Sequence, residues 1–219
     1  MLLEPGGGPS APIDLALFPG DLALIEAADR AQSTLFCDAL LGLASPVAGC
    51  VRFLGRDWTQ VPDLHAQAMR GRIGQIFAAG AWIDGLGVAD AVLLPQLYHT
   101  RRAEADLRDE AARLAATFGL PGLPLGRPAD VSPADLQRAA CVRAFLGRPK
   151  LILLQNPTWV LGAAVLEPLI NAVRAARDRD AAVVWLSPDA AICADASVPA
   201  DSRHRLRGGS LHPPSRAAA

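Results

Sequence analysis

The sequence predicts an α/β domain, a mostly parallel sheet with a helical subdomain inserted between two of its strands. Three observations carry this. LILLQ (151–155) and AAVVWLS (181–187) are unbroken apolar runs of strand length, as parallel strands covered on both faces require. Such runs alternate with segments whose apolar residues recur at helical spacing, the grammar of strand–helix–strand units. Residues 79–148 interrupt the alternation with helical segments alone, which places a helical subdomain there.

In chain order, residues 1–12 are rich in Gly and Pro and read as a flexible lead-in to a domain over 13–211. Residues 13–27 predict a short strand, a turn at Pro19-Gly20 and a second, apolar strand ending near Ile25. AADRAQ follows, then STLFCDALLGLA, where Leu35, Ala39, Leu40 and Leu43 share a helical face and Ser33 or a neighbour is the expected cap. Strand, short loop and helix in that order is the arrangement of a phosphate-binding loop. CVRFLGRDW then reads as strand and turn, and IGQIFA (73–78) as another strand. Residues 104–118 predict an amphipathic helix with Leu107, Ala111, Leu114, Ala115 and Phe118 on one face. A second helix spans 133–147, ended by Gly147-Arg148-Pro149, and a third spans 164–178. RHRLRGGSL reads as an edge hairpin with Arg203, Arg205 and Arg207 on a solvated face, and 212–219 as a disordered tail.

Bulk properties narrow the function classes. The 219 residues carry a net charge of -1, from 21 Lys+Arg against 22 Asp+Glu, which gives no electrostatic case for nucleic acid. Lys150 is the one lysine. Cys37, Cys50, Cys141 and Cys193 are scattered without metal-ligand spacing and read as small apolar side chains, so no metal site is expected. No apolar run reaches the roughly 18–20 residues of a membrane span, and the start lacks a basic signal-peptide region. A reduced, cytoplasmic setting is the expectation.

The order of segments resembles ABC transporter ATP-binding subunits over about residues 13–211. The resemblance lies in PGDLALI before a loop, STL opening a helix, GLASPVAGCVRFLGRD, IGQIF, VSPADLQRAACVRAFLGRPKLILLQNPTWVL and VVWLSPD. It implies a P-loop NTPase-like fold with five ATP-handling stations, each altered here. A phosphate loop needs glycines, so that backbone N–H groups face the phosphates, and a lysine for their charge. The matching positions hold Glu26, Asp29 and Ala31 for the glycines and Gln32 for the lysine. Two carboxylates are thereby expected to face the phosphate position. Arg30, Gln32, Ser33 and Thr34 remain as a relic nucleotide contact, or Ser33 and Thr34 serve the helix start alone.

Where the resemblance implies an Mg²⁺-binding Asp and a water-polarising Glu, Gln155 and Asn156 stand, uncharged and unable to act as a base. Both read as hydrogen-bonded loop anchors. Ala78 takes the place of the glutamine after the 73–78 strand, with Gln75 inside that strand and not a substitute for it. Pro188 takes the place of the switch histidine. Ser132 survives from the signature motif, but Pro133 removes a donor from the helix start. Arg143 matches the family's helix arginine, which pairs within the domain.

The resemblance implies an ABC-type subunit inactive or severely impaired in hydrolysis, with no tightly bound cofactor. ATP and Mg²⁺ would be held only at a dimer site shared with an intact partner. Homodimer and heterodimer both stay open. Residues 79–100, AGAWIDGLGVADAVLLPQLYHT, lie where the family meets a membrane permease, and their wording is similar to the ATPases of Mla/Mce-type lipid transport systems. A peripheral place on the inner face of the cytoplasmic membrane follows from that likeness. The alternatives are a weakly active transport ATPase and a soluble regulatory module of the same fold.

Overall fold

The computed structural model describes residues 13–78 and 80–213. Six strands form one sheet. At its centre β1 (Leu22–Glu26) is flanked in parallel by β6 (Ala182–Ser187) and β7 (Ser202–Arg207). Beyond β6 lie β5 (Leu151–Gln155) and then β4 (Ile73–Ile76), both parallel. β8 (Ser210–His212) closes the other edge antiparallel to β7. A two-stranded hairpin, β2 (Arg52–Phe53) with β3 (Arg56–Asp57), stands apart.

The two-residue period of the strands divides the apolar core into two layers. Leu22, Leu24, Ile152, Leu154, Val183 and Trp185 point into one, and Ile25, Leu151, Leu153, Val184 and Leu186 into the other. α1 (Arg30–Leu40), the hairpin and α2 (Asp63–Arg70) cover the second layer. The first is covered by α3 (Val88–His99), α4 (Glu104–Thr117), α5 (Pro133–Phe145) and α6 (Leu166–Arg177). The unbroken apolar runs thus mark strands buried on both faces. α3, α4 and α5 lie between β4 and β5, as a helical insertion requires. α5 still reaches the sheet: a Cβ on Gly74 of β4 would sit 1.8 Å from the Ala144 carbonyl oxygen, so only glycine admits the helix there.

Four expectations change. No strand forms over 13–18. Both sides of β1 are already taken, by β6 and β7, and the half-buried Leu15 and Leu17 instead lie over the second core layer. The edge hairpin forms, but Arg203 is not solvated. It donates to the carbonyls of Cys193, Asp195 and Val198 and so pins that loop to β7. The expected tail 212–219 is ordered at His212, which ends β8, while 214–219 and the lead-in 1–12 lie outside the described residues. Cys37 and Cys141 are buried, but Cys50 and Cys193 are partly exposed. All four thiols are free, and burial pushes Cys141 up to about 12 and Cys193 up to about 11, so these two are poor nucleophiles. No helix among the described residues is long and apolar enough to cross a membrane.

Candidate functional site

Parallel strands point their carboxyl ends to one pole, where ligands of open α/β sheets bind. Register sets Glu26 beside Ser187, Leu186 beside Gln155 and Ile76 beside Leu154. The β1–α1 loop, Gln155, Asn156, Ala78 and Pro188 therefore share that pole. Ser132 stands apart at the start of α5, which is tied to the pole by a buried hydrogen bond from Gln137 Nε2 to the Pro157 carbonyl at 2.8 Å.

The β1–α1 loop is closed upon itself. Asp29, not Ser33, caps α1: its Oδ1 accepts from the amides of Ala31 at 2.8 Å and Gln32 at 3.2 Å. Asp is at least as strong a cap as Ser, and the loss of the glycines removes the penalty that would keep residues 30–32 out of the helix. Ser33 falls inside the first turn, buried, with its hydroxyl donating to the Asp29 carbonyl at 2.9 Å. Two amides that a phosphate loop would turn toward an anion are thus occupied by the chain's own carboxylate. Glu26 does not join Asp29 at the phosphate position, since Arg207 on β7 stands 3.7 Å from its carboxylate. The expected pair of facing carboxylates is dispersed onto separate partners. Arg30 and Thr34 are exposed, and Arg30 makes no ion pair among the described residues. Gln32 carries no charge, and its Oε1 is buried without a hydrogen-bond partner.

At the end of β5, Gln155 is 3% exposed and accepts from Gln75 Nε2 at 3.2 Å, while its own Nε2 has no partner. Gln75 is therefore a neighbour of this site rather than a bystander within its strand. The signal was parity: Gln75 pairs with Leu153, and Leu153 and Gln155 share a face. Asn156 holds a left-handed backbone (φ 46°) that asparagine tolerates, with its amide on the Leu186 carbonyl at 2.8 Å. Beyond β6, Ser187 Oγ accepts from Asp189 N at 3.1 Å, and Pro188 offers neither ring nitrogen nor N–H. No group of three or more His, Cys, Asp or Glu side chains suited to a metal occurs among the described residues. For Mg-ATP the fit is poor: the lysine charge, the strand-end carboxylates and two of the loop amides are all missing from the positions that would use them.

Comparison with known proteins places this geometry. No family model matches the chain. MacB, the macrolide export ATP-binding/permease protein of Syntrophobacter fumaroxidans, is 27% identical over 212 residues, 93% of this chain and 28% of MacB. YknY of Bacillus subtilis, an uncharacterized ABC transporter ATP-binding protein, is 26% identical over 93% of this chain and 86% of its own length. The probable ribonucleotide transport ATP-binding protein mkl of Mycobacterium tuberculosis is 25% identical over 78% of this chain and 49% of its own. The chain thus spans between about a quarter and a half of MacB and mkl. Among solved structures, the dimeric ABC cassette MJ0796 superposes with a TM-score of 0.81 at 21% identity, covering 92% of this chain and 88% of that one. Its post-hydrolysis dimer bound to ADP and Pi gives 0.79 at 20% identity. The chain has the fold of an ABC-type nucleotide-binding domain.

The Ser132 hydroxyl, though exposed, is likewise engaged by its own helix. Ser132 caps α5, accepting from Asp135 N at 3.1 Å and donating to the Asp135 carboxylate at 2.9 Å, while Asp135 holds Arg138 at 2.9 Å. Arg143 uses both terminal nitrogens of its guanidinium, while its Nε is buried without a hydrogen-bond partner. It donates to the carbonyls of Gly80 at 2.6 Å and Ala81 at 3.0 Å, with its guanidinium over the rings of Phe77 and Trp82. Burial brings its pKa down to about 10, so it remains a cation at neutral pH. The 80–100 segment is thereby anchored at its start. Trp82 is half-buried under Arg143, whereas Ile83, Leu94, Leu97 and Tyr98 are exposed, Tyr98 by 71%.

Proposed function

We propose that this ABC-type domain is a pseudo-ATPase subunit of a membrane transport complex, structural or regulatory rather than energising. The observation that carries the reading is the Asp29 carboxylate seated on the amides of Ala31 and Gln32. An anion brought to that helix start would have to displace a tethered one, without a lysine to attract it. Beside it, Gln155 and Asn156 supply no charge for Mg²⁺ and no base.

In a head-to-tail pair with an intact ABC domain, the shared site opposite Ser132 would keep a working phosphate loop from the partner, so ATP and Mg²⁺ would be held there. A homodimer would lack one at both sites. The exposed side chains of Ile83, Leu94, Leu97 and Tyr98 give 79–100 an apolar surface suited to a permease on the inner face of the cytoplasmic membrane. The likeness of that segment to Mla/Mce-type ATPases favours a lipid or organic solute as cargo.

Calorimetry of the purified chain with Mg-ATP tests this directly. We expect no micromolar binding and no turnover, and no hydrolysis from Asn156→Glu, because the lysine and histidine positions stay vacant. Micromolar affinity with turnover by the chain alone would establish a weak ATPase instead. Failure to co-purify with any membrane subunit would favour the soluble regulatory module.

A further inference from the structure

The amino pole of the sheet, opposite the degenerate nucleotide site, carries a second constellation. Two neighbouring cavities lie there. The first, about 730 Å³, is lined by Arg56, Arg72, Arg148, Lys150, His65 and His99 among other residues, and by no carboxylate. The second, about 580 Å³, is mainly apolar, with Leu15, Leu17, Phe18, Phe53, Leu151 and Val184 in its wall. Leu54 and Lys150 line both, so the basic groove and the apolar pocket are neighbours across these two side chains.

A bland explanation of the cations is that they neutralise helix ends. α2, α3 and α5 all finish at this pole, and Gly71, Thr100 and Gly147, just past their last residues, line the groove. Each helix end is equivalent to about half a negative charge, so three sum to roughly -1.5 against four full cations. A net positive field remains. Arg56, Arg72, Arg148 and Lys150 are exposed and make no ion pair among the described residues. Glu110, across Gly147, is already held by Arg102 at 2.6 Å and by the Gly147 amide at 3.1 Å. Asp180 is the carboxylate in the wall of the apolar pocket. The walls are also conformationally committed. Leu54, Arg148 and Asp180 hold left-handed backbones (φ 51°, 57° and 65°), a conformation that non-glycine residues occupy at a cost. A Cβ on Gly71 would fall 2.4 Å from the His99 ring, which therefore lies directly on the α2 terminus.

We infer that this pole binds an anionic amphiphile, its phosphate-type headgroup in the basic groove and an alkyl chain in the apolar pocket past Leu54 and Lys150. The volumes are those of small-ligand sites. Charge alone would suit a free phosphate; the adjoining apolar wall is what selects an attached chain. The inference is independent of the state of the nucleotide site.

The test uses butyl, hexyl and octyl phosphate with the purified full chain, read by calorimetry beside inorganic phosphate and octyl glucoside. Affinity should rise by up to about fourfold per buried methylene. Octyl phosphate should bind at least tenfold tighter than either inorganic phosphate or octyl glucoside. The double reversal Lys150→Glu, Arg148→Glu, at exposed positions, should weaken octyl phosphate at least tenfold in a chain that still unfolds in one cooperative transition, with only the small fall in melting temperature that two carboxylates beside helix ends bring. Leu17→Asp should flatten the chain-length dependence and leave inorganic phosphate unaffected. Equal binding of inorganic and octyl phosphate overturns the amphiphile, and equal binding of octyl glucoside overturns the anionic head. Absence of octyl phosphate binding overturns both.

Discussion

Asp29 shows how one side chain redirects a loop. Its carboxylate both starts α1 and fills two amides that an anion would otherwise claim. Asp29→Ala should therefore lower stability by about 1 kcal/mol, the usual cost of a lost cap, as read from a shifted denaturation midpoint. It should still fail to bring Mg-ATP binding into the micromolar range, since Gln32 remains uncharged. A recovery of tight binding from this change alone would show that self-occupation, not the missing lysine, is the dominant block. The substitutions at Glu26, Asp29, Ala31 and Gln32 were legible as losses in the sequence, but their geometry was not. Asp29 and Ser33 are both good caps four residues apart, and which one starts the helix depends on whether residues 30–32 wind. The Gln75–Gln155 contact was hidden for another reason, because it joins side chains 80 residues apart that only strand register brings together.

Elements were read more securely than contacts. β5 and β6 announce themselves as unbroken apolar runs, and α4 by the spacing of Leu107, Ala111 and Ala115, all fully buried. The strand expected over 13–18 failed because alternation is necessary but a ladder partner is also required. Arg203 misled for the opposite reason: a charge in a hairpin at the sheet edge reads as solvated until the loop it pins is known. Arg143 makes the comparable argument for the helical insertion. Its planar fork serves two adjacent carbonyls and two aromatic faces, so Arg143→Lys is not conservative here. That change should destabilise by about 2 kcal/mol, within the range for hydrogen bonds to a charged group. It should also open the 80–87 loop to limited proteolysis before global unfolding. Equal protease resistance in both proteins would count against the anchoring role.

At the scale of the molecule, the segment order along 13–211 revealed the ABC frame because each station sits on a strand end or helix start that the fold needs regardless of chemistry. Stability of the whole should carry a pH signature from partly buried histidines. Burial lowers the pKa of His204 on β7 and of His99 at the end of α3 from the ordinary 6.5. The unfolded chain then takes up protons more readily than the folded one. Their contribution is fully present above about pH 6.5 and is lost as pH falls through the lowered folded values. Asp57 and Asp195 have pKa values lowered from 3.8, chiefly by hydrogen bonds from Thr59 and Ser197, so their contributions are lost only at more acid pH. Melting temperature should therefore decline between pH 7 and pH 5, and His204→Asn should shallow that decline. A flat profile over that range would refute the histidine assignment.

The cleft shared by Leu54 and Lys150 has one more consequence. Lys150 carries the only ε-amine in the chain and is exposed at the junction of the two cavities. Apart from the α-amino group, an acylating reagent has a single nitrogen to modify. A dye attached there would be a one-site label placed by the sequence itself, and because acylation removes the ammonium charge, the labelled chain should also bind octyl phosphate more weakly than the unlabelled one.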